Sequence, residues 1–148
     1  MICSVERIFP LMSSPSYIHA RDMELFLRYY EAIKKDDSIT NQKAIEIAIK
    51  SPTSKFWVSP FQVYREILNI VNGRKQPPAM RSIRKKMIND IYERYKELES
   101  KPTFRGCSTF FLVQFAVEQQ APEFYLSYNR ALAIITRIKR EYIIENEE

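Results

Sequence analysis

Apolar positions recur at helical spacing in six stretches of the chain. Met23, Leu25, Phe26, Tyr29, Tyr30 and Ile33 predict a first helix from about Ala20 to Lys35, ended by Asp36, Asp37 and Ser38. Thr40 then reads as an N-cap, with Ile39 and Ala44 as a hydrophobic staple. The second helix buries Ala44, Ile45, Ala48 and Ile49 before Ser51 and Pro52 stop it. The third opens with Ser59 as cap, Pro60 in the first helical position and Gln62 three residues after the cap. It runs through Val63, Tyr64, Ile67, Ile70 and Val71 to Asn72-Gly73. A fourth, from near Met80–Ile83 to Glu99, points Met87, Ile91, Tyr95 and Leu98 inward. A fifth, Phe110 to Gln119, follows a cap at Ser108 and is the most apolar, so it is expected to be more buried than the second. The sixth, Tyr128 to about Ile144, carries Tyr128, Ala131, Leu132, Ile134, Ile135, Ile138 and Tyr142 on one side. No stretch alternates as a strand does, so the expected class is all-α with about six helices.

These helices come in two sets of three. A constant offset of 68 aligns Ile39 to Val71 with Cys107 to Lys139 without a gap. Ala48 meets Ala116, Phe56 meets Phe124, Ser59 meets Ser127, Ile67 meets Ile135 and Ile70 meets Ile138. The centre of the match is a pair of short segments, Phe56-Trp57-Val58-Ser59 and Phe124-Tyr125-Leu126-Ser127. Upstream, an offset of 66 aligns Met23–Lys35 with Asn89–Lys101, bringing Arg28, Tyr29, Glu31 and Lys35 onto Arg94, Tyr95, Glu97 and Lys101. The reading is an internal duplication of a three-helix unit, with a loop two residues longer in the second copy. The expected organisation is an N-terminal extension over 1–19, a first repeat over 20–73, a basic bridge over 74–86 and a second repeat with an acidic tail over 87–148.

Composition narrows the picture little. Of 148 residues, 45% are hydrophobic and 28% charged, ordinary values for a globular chain. Two glycines leave no material for a phosphate loop. Cys3 and Cys107 make neither a disulfide framework nor a metal-ligand cluster, and Cys107, aligned with Ile39, is expected to act as a small apolar side chain. A reducing, cytoplasmic setting follows, since the chain has no disulfide pattern. Met1 to Leu11 has an acid at Glu6 and no long apolar run, so it reads as neither a signal peptide nor a membrane anchor, and Met12 offers a second possible start. His19 is the only histidine and has no clustered carboxylates or cysteines beside it. No serine or cysteine has an evident base partner. Neither a catalytic centre, a metal site nor a cofactor is expected.

The net charge of +5 admits an acidic or nucleic-acid partner. Arg74, Lys75, Arg81, Arg84, Lys85 and Lys86 lie in a bridge with no acid. Opposite the apolar side of the sixth helix lie Asn129, Arg130, Ala133, Thr136, Arg137 and Arg140. Two helices, a connection and a capped third helix resemble the helix-turn-helix plan of DNA-binding domains, present here twice. The Lys50–Ser59 connection is longer than that plan's tight turn and lacks its glycine. The resemblance implies a small DNA-binding protein. Asn129, Arg130, Arg137 and Arg140 would enter the groove, and the six bridge cations would hold phosphates. Ser59 and Ser127 are expected to be structural caps, and Phe56 and Phe124 core plugs. Trp57 and Tyr125 fit either the core or a binding surface. The alternative function is a helical protein-interaction or assembly module. There Phe61, Leu68 and Trp57 would meet a protein partner or a second copy. On the third helix Phe61 and Leu68 stand where the sixth has Asn129 and Thr136, which predicts that it buries a wider face.

Overall fold

The computed structural model describes residues 16–147, with side chains over 17–141. Most of the 1–19 extension, including Cys3, and the side chain of Tyr142 therefore lie outside the described residues. Among the described residues there are six α-helices and no strand: α1 (Ser16–Lys35), α2 (Asn41–Ile49), α3 (Pro60–Val71), α4 (Ser82–Glu99), α5 (Thr109–Val117) and α6 (Tyr128–Glu147), with a 3-10 turn at Pro102–Phe104. The helix starts keep the two offsets of the repeat: Ser16 and Ser82 are 66 apart, and Asn41 and Thr109, like Pro60 and Tyr128, are 68 apart. The last residues of the basic bridge, from Ser82, belong to α4.

The helices do not group in sequence order. One compact unit, here the split unit, combines the chain up to Thr53 with the chain from Pro122. Its helices are α1, α2 and α6. The other, the inner unit, is Ser54–Ala121 and contains α3, α4 and α5. These compact units do not follow the expected division into 20–73 and 87–148: each takes its first two helices from one of the two aligned segments and its third helix from the other. The connection to each third helix decides this. In the split unit the Phe124 N–H donates to the carbonyl of Ile49, at the end of α2, over 3.0 Å. In the inner unit the Phe56 N–H donates to the carbonyl of Val117, at the end of α5, over 2.9 Å. Phe56 aligns with Phe124 and Ile49 with Val117, so the two bonds join equivalent positions of the alignment, each running from one aligned segment to the other.

Matched positions do matched work. Ile45 and Val113, Ala48 and Ala116, Ile49 and Val117, Val63 and Ala131, and Ile67 and Ile135 are all buried. Phe56 is 0% and Phe124 4% exposed, so both rings plug a core as expected. The Thr40 and Ser108 hydroxyls accept from the amides of Lys43 and Phe111, each at 3.1 Å. Ser127 Oγ accepts from the Arg130 amide at 3.2 Å. Ser59 holds the N-cap position before Pro60, but its side chain makes no capping bond. The end of α3 is closed by Gly73 at φ 77°, a left-handed position that glycine takes without strain. There the Gly73 and Arg74 amides donate to the Ile70 and Asn69 carbonyls at 2.9 and 2.8 Å. Tyr125 adopts φ 57°, unlike its counterpart Trp57, and turns the chain into α6.

Several burial expectations are corrected. On α1, Leu25 and Tyr29 are buried while Met23, Leu27 and Tyr30 stay exposed, so the inward stripe is narrower than the apolar pattern. Helix α5 is only slightly more buried than α2: Thr109 and Phe110 are half-buried where Asn41 and Gln42 are exposed. Its inward positions, Leu112, Val113, Ala116 and Val117, correspond to Ala44, Ile45, Ala48 and Ile49, and its additional phenylalanines fall outside that arc. On α3 only Val63 and Ile67 are fully buried, and of the two outer residues that suggested a wider buried face only Leu68, half-buried where Thr136 is exposed, joins it, while Phe61 is 54% exposed.

Candidate functional site

The cations expected to meet DNA divide between the two units. Arg74, Lys75, Arg81, Arg84, Lys85 and Lys86 belong to the inner unit, whereas Asn129, Arg130, Arg137 and Arg140 lie on α6 of the split unit. The charge divides too. The inner unit holds twelve Lys and Arg against six Asp and Glu, and the rest of the chain eleven against twelve, so the whole positive surplus sits in 54–121.

Several of these cations are already engaged. The Arg137 guanidinium donates to Asp22 at 3.0 Å, and Asp22, only 2% exposed, also accepts from Arg21 at 2.9 and 3.0 Å. A buried carboxylate needs such partners. Arg137 therefore ties α6 to α1 instead of standing free on the outer face of its helix. Arg84 grips Glu66 of α3 through two bonds of 3.2 Å, and Lys86 faces Asp90 at 3.8 Å. Arg74 donates to the Asn69 side chain at 3.3 Å. Lys75 and Arg81 are exposed and Lys85 is half-buried, and none of the three makes an ion pair among the described residues. Asn129, Arg130 and Arg140 are exposed on α6.

The inner unit also presents aromatic side chains. Phe61 stacks at a tilt on Phe110, centroids 5.1 Å apart, and Tyr64 meets the same Phe110 ring edge-on at 5.2 Å. On α5, Phe115 meets Phe104 at 5.1 Å and Phe111 at 6.3 Å. Phe61, Phe111 and Phe115 are 54%, 45% and 43% exposed. Beside Phe61, an open cavity of about 600 Å³ is lined by Phe61, Gln62, Arg65, Glu66 and Arg84. Leu68 is half-buried, as is Trp57, whose ring lies 5.6 Å from the Lys55 ammonium. Phe61 was legible in the sequence as an outer residue. The sequence signal for Phe111 and Phe115 lies in their counterparts Lys43 and Ile47: at 43 and 111 one aligned segment has a cation and the other an aromatic ring.

Cys107 is exposed, which corrects its expected apolar role, and it lines a cavity of about 310 Å³ with Lys101, Arg105 and Glu99. His19 is exposed. Among the described residues, no three His, Cys, Asp or Glu side chains are placed to hold a metal ion, and no helix is long and apolar enough to cross a membrane. Burial and the Glu99 carboxylate, which accepts from its hydroxyl at 2.8 Å, hold the Tyr95 phenol above its ordinary pKa. Comparison with known proteins finds no matching family model, curated protein or solved structure.

Proposed function

We propose that the chain is a helical protein-interaction module, without an enzymatic activity of its own, whose contact surface is formed by exposed aromatic side chains of the inner unit. The observation that carries this reading is Phe61. A large ring in the first turn of α3 stands more than half exposed, supported by Phe110 and flanked by the unpaired Arg65. Exposed aromatics that rest on other rings bind at small entropic cost, and rings and arginines are the side chains that most often dominate interfaces. The surplus of six positive charges in the same unit favours a partner segment that places aromatic or aliphatic side chains next to carboxylates. Selection of a phage-displayed random peptide library on the immobilised protein tests this. Enrichment of peptides combining Phe, Leu or Trp with Asp or Glu is expected, and the double variant Phe61→Ser, Phe111→Ser should lose it with little change in Tm. No enrichment, or enrichment the double variant retains, refutes the reading.

A second reading keeps nucleic acid, supported by Lys75, Arg81 and Lys85 in the unit that carries all the surplus charge. Here the inner unit would hold a phosphate backbone, and α6, with Arg137 bound to Asp22, would have no part in reading a groove. Fluorescence anisotropy on a duplex across a salt series separates the two readings. Phosphate contacts give a log–log slope of about 0.9 per phosphate neutralised, which Lys75→Ala with Lys85→Ala would flatten by up to about two units.

A further inference from the structure

We infer that copy-specific polar pairs select which third helix joins each unit: the first two helices of either copy are charged to accept the third helix of the other copy and to reject their own. Four ion pairs join a third helix, or the segment leading to it, to the first two helices or the segment leaving them. In the split unit these are Asp22–Arg137 at 3.0 Å and Lys50–Glu123 at 3.4 Å. In the inner unit they are Arg84–Glu66 at 3.2 Å and Lys55–Glu118 at 3.3 Å. Each pair has one member from each copy.

The offsets of the repeat state what pairing in sequence order would place together. Position 50 corresponds to 118 and position 55 to 123. The first copy has lysine at both of its positions, and the second has glutamate at both. Crossed pairing makes two attractions, whereas pairing in sequence order would set Lys50 against Lys55 and Glu118 against Glu123. Position 22 corresponds to 88 and 69 to 137, so Asp22 would exchange Arg137 for Asn69, and Arg137 would move to Ile88. Position 18 corresponds to 84 and 66 to 134, so Glu66 would move to Ile18, and Arg84 to the position of Ile134, which is only 4% exposed. Every one of the four attractions is lost in that arrangement, two become repulsions and two leave a charge beside an aliphatic side chain. Two of the acids concerned are held almost out of water: Asp22 is 2% exposed, and the Glu123 side chain 10%. There an unpartnered charge is most costly. Most buried apolar positions do not discriminate in this way, although Ala44 and Leu112, and Val63 and Ala131, differ in volume and add a packing contribution. Ile45 and Val113, or Ile67 and Ile135, are of one class in both copies and accept either third helix.

Two full-length variants with the composition of the natural chain test the inference. Lys55→Glu with Glu123→Lys turns both crossed attractions at these positions into repulsions and makes both sequence-order pairs attractive. Inverting all four (Lys50→Glu, Lys55→Glu, Glu118→Lys, Glu123→Lys) leaves the crossed pairs attractive and the sequence-order pairs repulsive. Stability is measured by urea unfolding, and pairing by the nuclear Overhauser contact between residues 49 and 124 or its replacement by one between 49 and 56. The double variant should raise the unfolding constant by roughly 2- to 30-fold, the loss of two partly exposed ion pairs, with an effect that shrinks in high salt. The four-fold inversion should stay within about twofold of the natural chain and keep the 49–124 contact. Failure of the double variant to fold while the inversion folds supports the inference. A double variant as stable as the natural chain with the 49–124 contact intact, or an inversion as damaged as the double variant, overturns it and leaves core packing or chain connectivity as the cause of the crossing.

Discussion

Replacing Phe56 by alanine should damage helices distant from it in the sequence. The ring is 0% exposed, and its amide is bonded to the Val117 carbonyl at the end of α5. The Arg94 guanidinium of α4 lies 5.9 Å from the ring centroid, and Arg94 donates to Gln119 just beyond α5. Removing a fully buried phenylalanine forfeits its transfer energy and leaves a cavity, together about 3–5 kcal/mol. Out of a total of about 5–15 kcal/mol for a domain, that is a large fraction. At about 4–8 °C per kcal/mol for a unit of this size it lowers the Tm of the inner unit by roughly 12–40 °C. Hydrogen exchange read by mass spectrometry locates the loss. Amides of 82–99 and 109–117 should lose protection by about two to four orders of magnitude if they open with the unit, since each 1.4 kcal/mol is about tenfold. The neighbouring α2, only seven residues upstream, should keep most of its own. Loss centred on 41–49 instead, with 109–117 unchanged, would refute the assignment of Phe56 to the inner unit and the crossed grouping with it.

The caps and one titration supply further predictions. Ser127→Ala removes a bond to the Arg130 amide and should cost about 1 kcal/mol in urea unfolding, whereas Ser59→Ala, which removes none, should stay within about 0.5 kcal/mol. Tyr95 has its pKa raised in the folded protein by burial first and by Glu99 second. The neutral phenol is thus favoured by folding. Its contribution is complete below the ordinary value near 10 and declines as pH rises from there through the raised folded value. Stability measured against pH should therefore fall above about pH 10, and Tyr95→Phe should fall less steeply over the same window. An unchanged slope would refute the role of that phenol.

Local chemistry was legible in the chain. Helical periodicity located all six helices, because an amphipathic stripe of Ile, Val and Leu between proline, glycine and hydroxyl punctuation has few other uses. Thr40, Ser108 and Ser127 cap as their spacing indicates, and Phe56 and Phe124 are buried as the repeated aromatic suggests. Only the tertiary structure decided how those pieces combine. Apolar positions alike in the two copies are compatible with either third helix, so periodicity could not distinguish neighbouring helices from exchanged ones. The choice rests on pairs far apart in sequence, Asp22 with Arg137 and Lys50 with Glu123, whose members look like ordinary surface charges when read one at a time. The same holds for the sites. Arg137 lies outside the apolar stripe of its helix and so reads as free, yet a buried carboxylate from α1 holds it. Phe111 and Phe115 are hydrophobic yet exposed, because four other residues of α5 already fill the arc that faces its neighbours. A helix has one inward side, and its width is set by what packs against it.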